Sequence, residues 1–331
     1  MEICENIFNK ITLLENLFSV WDKFKKGKQN KPDIQAFEFN LEENIFKLHY
    51  ELLAGAYRHA PYHGFYVRDP KVRHIHKAAV RDRVLHHAVF RVLSPIFEPT
   101  FIANSFSCRI GKGTHKGVAA MENATRKASR NYSGPCFALK CDIRKFFYSV
   151  DHQILKKILV RRIKDVQALW LCAEIIDSFE SKNPRERESK CGLPIGNLTS
   201  QLFANIYLNE FDQFIKHKLK IKYYFRYTDD FIILSRRENY LKLLLPIIKS
   251  FLKERLKLQL HPNKVFIRKL SQGIDFLGYV VLPYHRVLRT TTKRRMFKKI
   301  NAKNLQSYLG ILKHCMGYKL RVKVFERLGI M

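Results

Sequence analysis

No stretch of the sequence reaches the ~18 consecutive apolar residues that a membrane-spanning helix needs. The N-terminal stretch, MEICENIFNK, also lacks the basic start and apolar core of a signal peptide. We therefore expect a cytoplasmic protein with no membrane partner. Apolar residues still make up 46% of the 331 positions, which is typical of a globular chain and argues against a disordered one.

Cysteines and histidines at metal-binding spacings are also missing. The seven cysteines contain no CxxC pair and are scattered along the chain at Cys4, Cys108, Cys136, Cys141, Cys172, Cys191 and Cys315. An odd, scattered set argues against a disulfide framework or a zinc site and favours buried free thiols. The thirteen histidines include no HExxH motif, and the pair His74 and His76 is too small to define a metal site.

Acidic residues are scarce. The chain has 29 Asp and Glu against 61 Lys and Arg, which gives a formal net charge of +32. Such an excess repels itself in a folded chain unless a polyanion neutralises it. Nucleic acid is the natural partner, through phosphate contacts, and an anionic membrane surface is the alternative.

The N-terminal third predicts helices followed by a basic hairpin. Residues 1–60 carry apolar residues at helical spacing, interrupted by a basic loop at 23–33. Residues 62–68 and 72–76 have the composition of two short strands around a turn. Lys71 and Arg73 make this hairpin strongly basic, which suits it to hold a triphosphate or a nucleic-acid strand.

Two acidic segments follow apolar, strand-like runs. Residues 137–141 predict a buried strand that Asp142 ends, although Asp142 could instead cap the following helix. The stretch 221–235, IKYYFRYTDDFIILS, predicts a hairpin with Asp229 and Asp230 at its tip. Adjacent carboxylates repel each other, and a divalent cation would offset that repulsion. The alternative is an acidic turn without a ligand.

The elements around these acids predict how they come together. Residues 153–180 look helical, the segment GLPIGNLTSQ (192–201) predicts a loop entering a long helix, and 241–260 look helical again. Residues 276–281 predict one further strand, and 286–331 a mostly helical, basic tail. The order strand, helices, hairpin is typical of an α+β domain in which the two acidic segments are adjacent. Asp142, Asp229 and Asp230 would then form a two-metal site for displacement at phosphorus.

The ordered motifs resemble those of the reverse transcriptases. They are KVRHIHKAAVRDR, NSFSCRIGKGTH, KCDIRKFF, GLPIGNLTSQ, YTDD, LKLQLHPNK and FLGY, and ELLAGAYRHAPY is similar to the N-terminal entry of group II intron enzymes. The resemblance implies a right-hand polymerase with fingers, an antiparallel palm with helices, and a short helical thumb. It places the N-terminal helices and fingers at 1–135, the palm at 136–285 with a helical fingers insertion at about 153–190, and the thumb at 286–331.

The resemblance also assigns roles to single residues. Asp142, Asp229 and Asp230 would be catalytic and bind two Mg²⁺ ions, for which Mn²⁺ can substitute, with the backbone carbonyl of Ile143 as a further ligand. The residues expected to bind the incoming deoxynucleotide are Lys71, Arg73, Phe147 (as a steric gate against a 2′-hydroxyl), Ile195, Gly196, Gln201 and Lys264. The residues expected to contact primer or template are Arg109, Tyr227, Phe276, Leu277, Gly278 and Tyr279.

One motif departs from the common pattern. Most reverse transcriptases carry QGxxxSP where this chain has IGNLTSQ, so that Ile195 replaces an amide and Gln201 a proline. This departure resembles the enzymes of diversity-generating retroelements, which copy a template-repeat RNA with errors at adenines. That implies template RNA, cDNA and deoxynucleotides as partners, together with a basic oligomeric accessory variability protein. The alternatives are an intron-derived or phage-defence reverse transcriptase, and a non-catalytic RNA-binding protein on a polymerase fold.

Overall fold

The computed structural model describes residues 6–69, 71–181 and 189–330. The helices are α1 (Ile7–Thr12), α2 (Leu14–Phe24), α3 (Pro32–Phe39), α4 (Leu41–Leu53), α5 (Val80–Phe97), α6 (Thr114–Ala128), α7 (Phe146–Ser149), α8 (His152–Val160), α9 (Val166–Asp177), α10 (Leu198–Gln213), α11 (Glu238–Leu256), α12 (Thr290–Lys299), α13 (Leu305–Leu312) and α14 (Tyr318–Arg327). The strands are β1 (His63–Val67), β2 (Arg73–Lys77), β3 (Phe137–Asp142), β4 (Tyr224–Tyr227), β5 (Asp230–Ser235), β6 (Phe266–Lys269), β7 (Ile274–Phe276), β8 (Tyr279–Leu282) and β9 (His285–Leu288).

The chain forms two compact units, each assembled from separate segments. The first unit comprises Met1–Ile102, Arg144–Gln213 and Phe251–Gln259. The second comprises Ala103–Ile143, Phe214–Ser250 and Leu260–Met331. The three-part division expected from the sequence, with boundaries at 135 and 285, stays a prediction.

The first unit is mainly helical. Helix α5 carries apolar side chains at helical spacing, and Val84, Leu85 and Leu93 are fully buried among the surrounding helices. The basic hairpin predicted from the sequence is present, because β1 and β2 pair antiparallel with His63 opposite Lys77 and Val67 opposite Arg73. Most of β1 is solvent-exposed, so this hairpin projects from the helical core.

The second unit contains two antiparallel sheets. One has the strand order β4-β5-β3-β6, and the other has the order β7-β8-β9. Helix α6 packs on β4, β5 and β8, and its buried Val118 and Met121 share one apolar core with Phe225 and Ile232. The prediction that the two acidic segments are adjacent is confirmed, since β3 pairs with β5 along its whole length.

Two details of the strands differ from the sequence predictions. Residues 276–281 form two strands, because Leu277 (φ 51°) and Gly278 (φ 88°) make a two-residue turn between β7 and β8. A hairpin turn of this kind needs positive φ at both central residues, and leucine is not a residue that signals one. The tail begins with a strand, β9, that completes the sheet of β7 and β8.

Two helical predictions are also corrected in detail. Residues 153–180 form two helices, α8 and α9, because Asp165 caps the second helix by accepting a hydrogen bond from the Ala168 backbone N–H. Helix α10 begins at Leu198, so Ser200 and Gln201 lie inside its first turn and not in the preceding loop. Within the described ranges, no helix is both long enough and apolar enough to span a bilayer.

Candidate active site

The two acidic segments meet at one end of the four-stranded sheet in the second unit. Asp142 is the last residue of β3, Asp230 is the first residue of β5, and the antiparallel register places them directly opposite each other. Cross-strand neighbours in such a register have Cβ atoms about 4.5–5.5 Å apart. Because like charges so placed destabilise a sheet, this pair calls for compensating positive charge.

The turn that carries Asp229 is held from several sides. Thr228 adopts a left-handed conformation (φ 54°), and its hydroxyl donates to Ser107 Oγ at 2.7 Å. The Arg226 guanidinium, fully buried, donates to the Thr228 carbonyl at 3.1 Å. The Asp229 carbonyl accepts from the Ile143 backbone N–H at 3.1 Å, which ties the turn to the end of β3. The acidic tip is therefore fixed by the backbone and by buried polar groups.

Asp142 is positioned by the segment that follows α11. The Asp142 carbonyl accepts from the His261 backbone N–H at 2.7 Å, and the Lys264 ammonium donates to Oδ1 of Asp142 at 2.8 Å. The alternative role for Asp142 as a helix cap is excluded, since the next helix, α7, has Lys145 at its N-cap position. Lys264, predicted as a nucleotide-binding residue, thus lies against the carboxylate that ends β3.

Asp230 lies in a strongly perturbing electrostatic environment. Its Oδ2 atom lies 3.4 Å from the Lys140 ammonium, while its Oδ1 atom is inaccessible to solvent and has no hydrogen-bond partner among the described residues. Burial, reinforced by the charges of Asp142 and Asp229, raises the pKa of Asp230 to about 6, against the opposing effect of Lys140. A buried carboxylate oxygen without a partner is a group that lacks a cation or a donor.

The donor set fits a divalent metal ion. Carboxylate oxygens are the ligands that Mg²⁺ prefers, and Mg²⁺ sites in polymerases combine one or two carboxylates with substrate phosphates. The unpartnered Oδ1 of Asp230 supplies such a donor. Within residues 6–69, 71–181 and 189–330, no group of three or more His, Cys, Asp or Glu side chains is placed to hold a metal ion by itself.

Several predicted nucleotide-binding residues lie in the first unit. Lys71 and Arg73 are exposed on the hairpin of β1 and β2. Ile195 and Gly196 lie beside β2, because the Ile195 carbonyl accepts from the His76 backbone N–H at 2.9 Å. Gly196 has a φ of 112°, and a Cβ there would lie 2.8 Å from Ile75 Cγ2. The residues in this group thus share one cluster around β2.

Two more of these residues belong to helices of the same unit. Phe147 is half-buried in α7, its ring lies edge-on to Phe146 at 5.4 Å between centroids, and its carbonyl accepts from the Leu193 backbone N–H. Gln201 is half-buried in the first turn of α10. Their proposed contacts with a nucleotide stay predictions.

The predicted primer and template residues lie in the second unit, at different depths. Arg109 is half-buried and donates to the Ser105 carbonyl at 2.8 Å. Tyr227 ends β4 and packs against the apolar core. Of the FLGY segment, Phe276 and Tyr279 are buried, and the Tyr279 hydroxyl donates to the Ile311 carbonyl at 3.1 Å. The turn residues Leu277 and Gly278 join these two positions.

Sequence reasoning missed three residues that shape these clusters. Arg226 was hidden inside a strand-like run, and nothing in the pattern signals a fully buried guanidinium. Lys140 is a strand residue whose ammonium reaches both Asp230 and, at 2.9 Å, the Asp275 carbonyl. Asn197 donates to the His76 carbonyl at 2.9 Å. This bond and the one between the His76 N–H and the Ile195 carbonyl together form what we call the clamp on β2. The signal available in the sequence was the position of Asn197 directly after Ile195 and Gly196.

The antiparallel sheets and the helices packed on them have the fold of a right-hand polymerase. The family model for "Reverse transcriptase (RNA-dependent DNA polymerase)" matches residues 68–281. The chain therefore belongs to the reverse transcriptase family, and enzymes of this family use divalent metal ions.

Curated relatives are mostly encoded by introns. The chain is 25% identical to protein YkfC of Escherichia coli over 298 residues, which cover 80% of this chain and 75% of YkfC. It is 25% identical to the group II intron-encoded protein LtrA of Lactococcus lactis over 322 residues, covering 78% of this chain and 52% of LtrA. The chain thus spans about half the length of the intron-encoded relative.

Solved structures support the same fold. A telomerase of Candida albicans in complex with a fragment of telomeric RNA matches with a TM-score of 0.53 at 14% identity, over 80% of this chain and 53% of the telomerase. Apo telomerase of Candida tropicalis matches with a TM-score of 0.51 at 14% identity, over 75% of this chain and 60% of that one. At this identity the similarity shows the fold alone.

Proposed function

We propose that this protein is an RNA-directed DNA polymerase that extends a primer with deoxynucleotides by nucleotidyl transfer. The observation that carries the proposal is the placement of Asp142 opposite Asp230, with Asp229 in the adjoining turn and the Oδ1 of Asp230 left without a partner. Half-buried carboxylates arranged in this way favour cations, and a triphosphate with its metal ions brings both charge and ligands.

In this proposal the three aspartates would hold two Mg²⁺ ions, for which Mn²⁺ could substitute. When bound, the ions stabilise the attacking and leaving oxygens at the phosphorus. The carbonyl of Ile143 is a further candidate ligand. Lys264 offsets the negative charge of Asp142 and offers its ammonium to the triphosphate.

The exposed hairpin and its neighbours are assigned to substrate selection. Lys71 and Arg73 bind the triphosphate, since exposed ammonium and guanidinium groups suit phosphate oxygens. Phe147 excludes the 2′-hydroxyl of a ribonucleotide. The template RNA and the growing cDNA are bound by the basic surface that the net charge of +32 provides.

Primer extension on an RNA template, with deoxynucleotides and Mg²⁺, tests the activity. The Asp229→Asn variant should lose extension by at least a hundred-fold, because it removes a carboxylate charge that the metal ions of the proposed site would need. Asp22→Asn, a matched change at an exposed position of α2, should keep full activity. Equal activity of the two variants would exclude the proposed catalytic role of the acidic tip.

The finer proposal is that synthesis is mutagenic and belongs to a diversity-generating retroelement. It rests on Ile195 and Gln201, where most reverse transcriptases have an amide and a proline. An isoleucine side chain cannot donate to the template or the incoming sugar, and losing a hydrogen bond worth ~1 kcal/mol reduces discrimination several-fold. In this setting the template is a template-repeat RNA, the cDNA replaces a variable repeat, and a basic oligomeric accessory protein is the partner.

An intron-type reverse transcriptase is the second candidate, and the similarity to LtrA favours it. Phage-defence enzymes and a non-catalytic RNA-binding protein are weaker alternatives. The Ile195→Gln variant separates the first two, because it should lower misincorporation opposite template adenine if Ile195 causes the errors. A faithful wild-type enzyme, or an error spectrum that Ile195→Gln leaves unchanged, would favour the intron-type assignment.

A further inference from the structure

A basic cavity lies in the second unit at the end of the sheet that carries no catalytic acids. Its volume is about 380 Å³. The cationic residues that line it are Lys127, Arg130, Lys220, Lys222 and Arg236, and two tyrosines, Tyr223 and Tyr240, are also part of the wall. No acidic residue is part of that wall.

The position of the cavity separates it from the acidic site. Asp230 begins β5 and Ser235, which lines the cavity, ends it. At about 3.3 Å per residue, the two ends of this strand are roughly 16 Å apart. A ligand in the cavity therefore does not occupy the position of the reacting nucleotide.

The charges of the cavity are not neutralised by the chain as described. No carboxylate within residues 6–69, 71–181 and 189–330 lies within ion-pair distance, 4.0 Å, of any of its five cationic side chains. Lys127 and Arg130 also complement the C-terminal dipole of α6, but Lys220, Lys222 and Arg236 come from other segments. Positive side chains that line a concave surface without acidic residues create a positive electrostatic potential there, and this potential attracts anions.

Arg130 and Lys220 of the cavity wall, and the two residues that follow Arg130, have backbone in an uncommon conformation. Arg130, Asn131 and Tyr132 follow α6 with φ values of 53°, 56° and 67°, and Lys220 has a φ of 51°. Hydrogen bonds hold both segments, since Asn131 N–H donates to the Arg126 carbonyl and the Lys216 ammonium donates to the Ile221 and Lys222 carbonyls. Strained backbone that is held in this way clusters at binding sites.

The aromatic residues narrow the class of ligand. Tyr223 and Tyr240 are half-buried, and the Lys222 ammonium lies 5.6 Å from the centre of the Tyr223 ring. Tyrosine rings next to cationic side chains suit an unstacked base with its phosphates. An acidic peptide would use the charges but not the rings, and a basic protein partner would be repelled.

We infer that this cavity, lined by Lys222, Arg236 and Tyr223, binds an unstacked nucleotide of a single-stranded or looped RNA segment. The site is separate from the site of polymerisation, so RNA bound there is held as an anchor while another segment is copied. This binding does not depend on catalysis and holds even if the chain proves inactive.

Fluorescence anisotropy with a labelled single-stranded RNA of about 25 nucleotides tests the inference on the full chain. The double variant Lys222→Gln/Arg236→Gln is compared with Lys253→Gln/Arg255→Gln, which removes the same charges from an exposed part of α11. Losing two phosphate contacts should lower the slope of log K against log salt by about 1.4. We expect that reduction, with at least a five-fold loss of affinity at 150 mM salt, in the first variant only.

Two further readouts decide the outcome. Photo-crosslinking of 4-thiouridine RNA to the wild type should label peptides that contain residues 220–223 or 236–240, and melting temperatures should show that both variants fold. Equal affinities and slopes for the two variants, or crosslinks that map only to other regions, would overturn the inference. Displacement of the RNA by micromolar AMP would make the cavity a free-nucleotide site and would also overturn it.

Discussion

The ammonium of Lys264 lies 2.8 Å from Oδ1 of Asp142, so the carboxylate that ends β3 already has a cation against it. This ion pair is half-exposed, with side-chain accessibilities of 40% and 21%. Ion pairs of this kind contribute little to folding, between about 0 and 1 kcal/mol. Its importance therefore lies in the competition between the ammonium and a metal ion for one carboxylate.

Replacing Lys264 with Met should change ligand binding and leave folding unchanged. Because the competing cation is gone, half-saturation with Mn²⁺, followed by electron paramagnetic resonance, should occur at a several-fold lower concentration. The KM for deoxynucleotides should rise about ten-fold, since one charge-assisted contact with phosphate is lost. Lys253→Met is the control at an exposed position. Weaker Mn²⁺ binding in Lys264→Met would contradict this competition.

Removing the guanidinium of Arg226 should destabilise the second unit. Arg226 is fully buried and donates to the Thr228 carbonyl, and an unsatisfied buried acceptor costs roughly 1–3 kcal/mol. We expect Arg226→Met to lower the free energy of unfolding by that amount or more in urea titrations. Arg268→Met, an exposed change in β6, should stay within about 0.5 kcal/mol of wild type. Equal stabilities of the two variants would mean that the turn does not depend on the Arg226 guanidinium.

A methyl group at Gly196 should disturb the clamp on β2. The new Cβ would lie 2.8 Å from Ile75 Cγ2, and the φ of 112° is strained for any L-residue, at about 1–3 kcal/mol. Gly55→Ala is the matched control, because Gly55 also has positive φ (67°) but nothing within 4 Å of the added Cβ. We expect a clearly lower melting temperature for Gly196→Ala than for Gly55→Ala. A reversed order would exclude the steric clash as the dominant effect.

Acid should destabilise the first unit through its buried and half-buried histidines. Burial lowers the pKa of His87 from 6.5 to about 4, and burial likewise lowers those of His59 and His86. Below pH 6.5 the unfolded chain binds protons that the folded chain resists, so the free energy of unfolding falls as the pH drops towards 4. These histidines contribute no further change above about pH 7.

The His87→Phe variant checks this dependence. It keeps a ring against Phe24, which lies 5.2 Å from the His87 ring between centroids, and removes one titrating group. Urea titrations between pH 7.5 and 5 should show a shallower loss of stability in the variant than in the wild type. An unchanged pH dependence would show that His87 is protonated equally easily in both states.

Reducing the ring of Phe147 should relax sugar selection. If this half-buried ring blocks a 2′-hydroxyl, Phe147→Val should raise the kcat/KM for ribonucleotides relative to deoxynucleotides by roughly ten-fold or more. Single-nucleotide incorporation measures the ratio, and Tyr148→Phe serves as the control on the same helix. If Phe147→Val keeps normal activity and discriminates against ribonucleotides as well as the wild type does, Phe147 is not the steric gate.

The parts of the site that the sequence predicted follow from short-range patterns. Apolar runs ending in Asp142 and flanking Asp229 and Asp230 predicted the paired strands, since strand composition and turn chemistry are local. Contacts between residues far apart in the sequence left no such local pattern. A buried guanidinium at Arg226 contradicts the rule that charges lie outside, and its acceptor is a backbone carbonyl that no sequence displays.

Backbone conformation limited the other predictions. Leu277 occupies a left-handed position that usually requires glycine or asparagine, so FLGYVV looked like one continuous strand. Residues 192–201 looked like a loop up to Gln201, because the first turn of α10 is mostly polar and the apolar run of the helix begins only after Gln201. Each error arises where tertiary packing overrides local propensity.

The clamp on β2 has a mechanical consequence. His76 donates its N–H to the Ile195 carbonyl and accepts from the Asn197 amide on its own carbonyl, so both backbone polar groups of one hairpin residue are bonded to the segment before α10. The hairpin is therefore tied to the segment that leads directly into α10. We expect hydrogen exchange of the amides in the first turn of α10 to change when a ligand binds the hairpin.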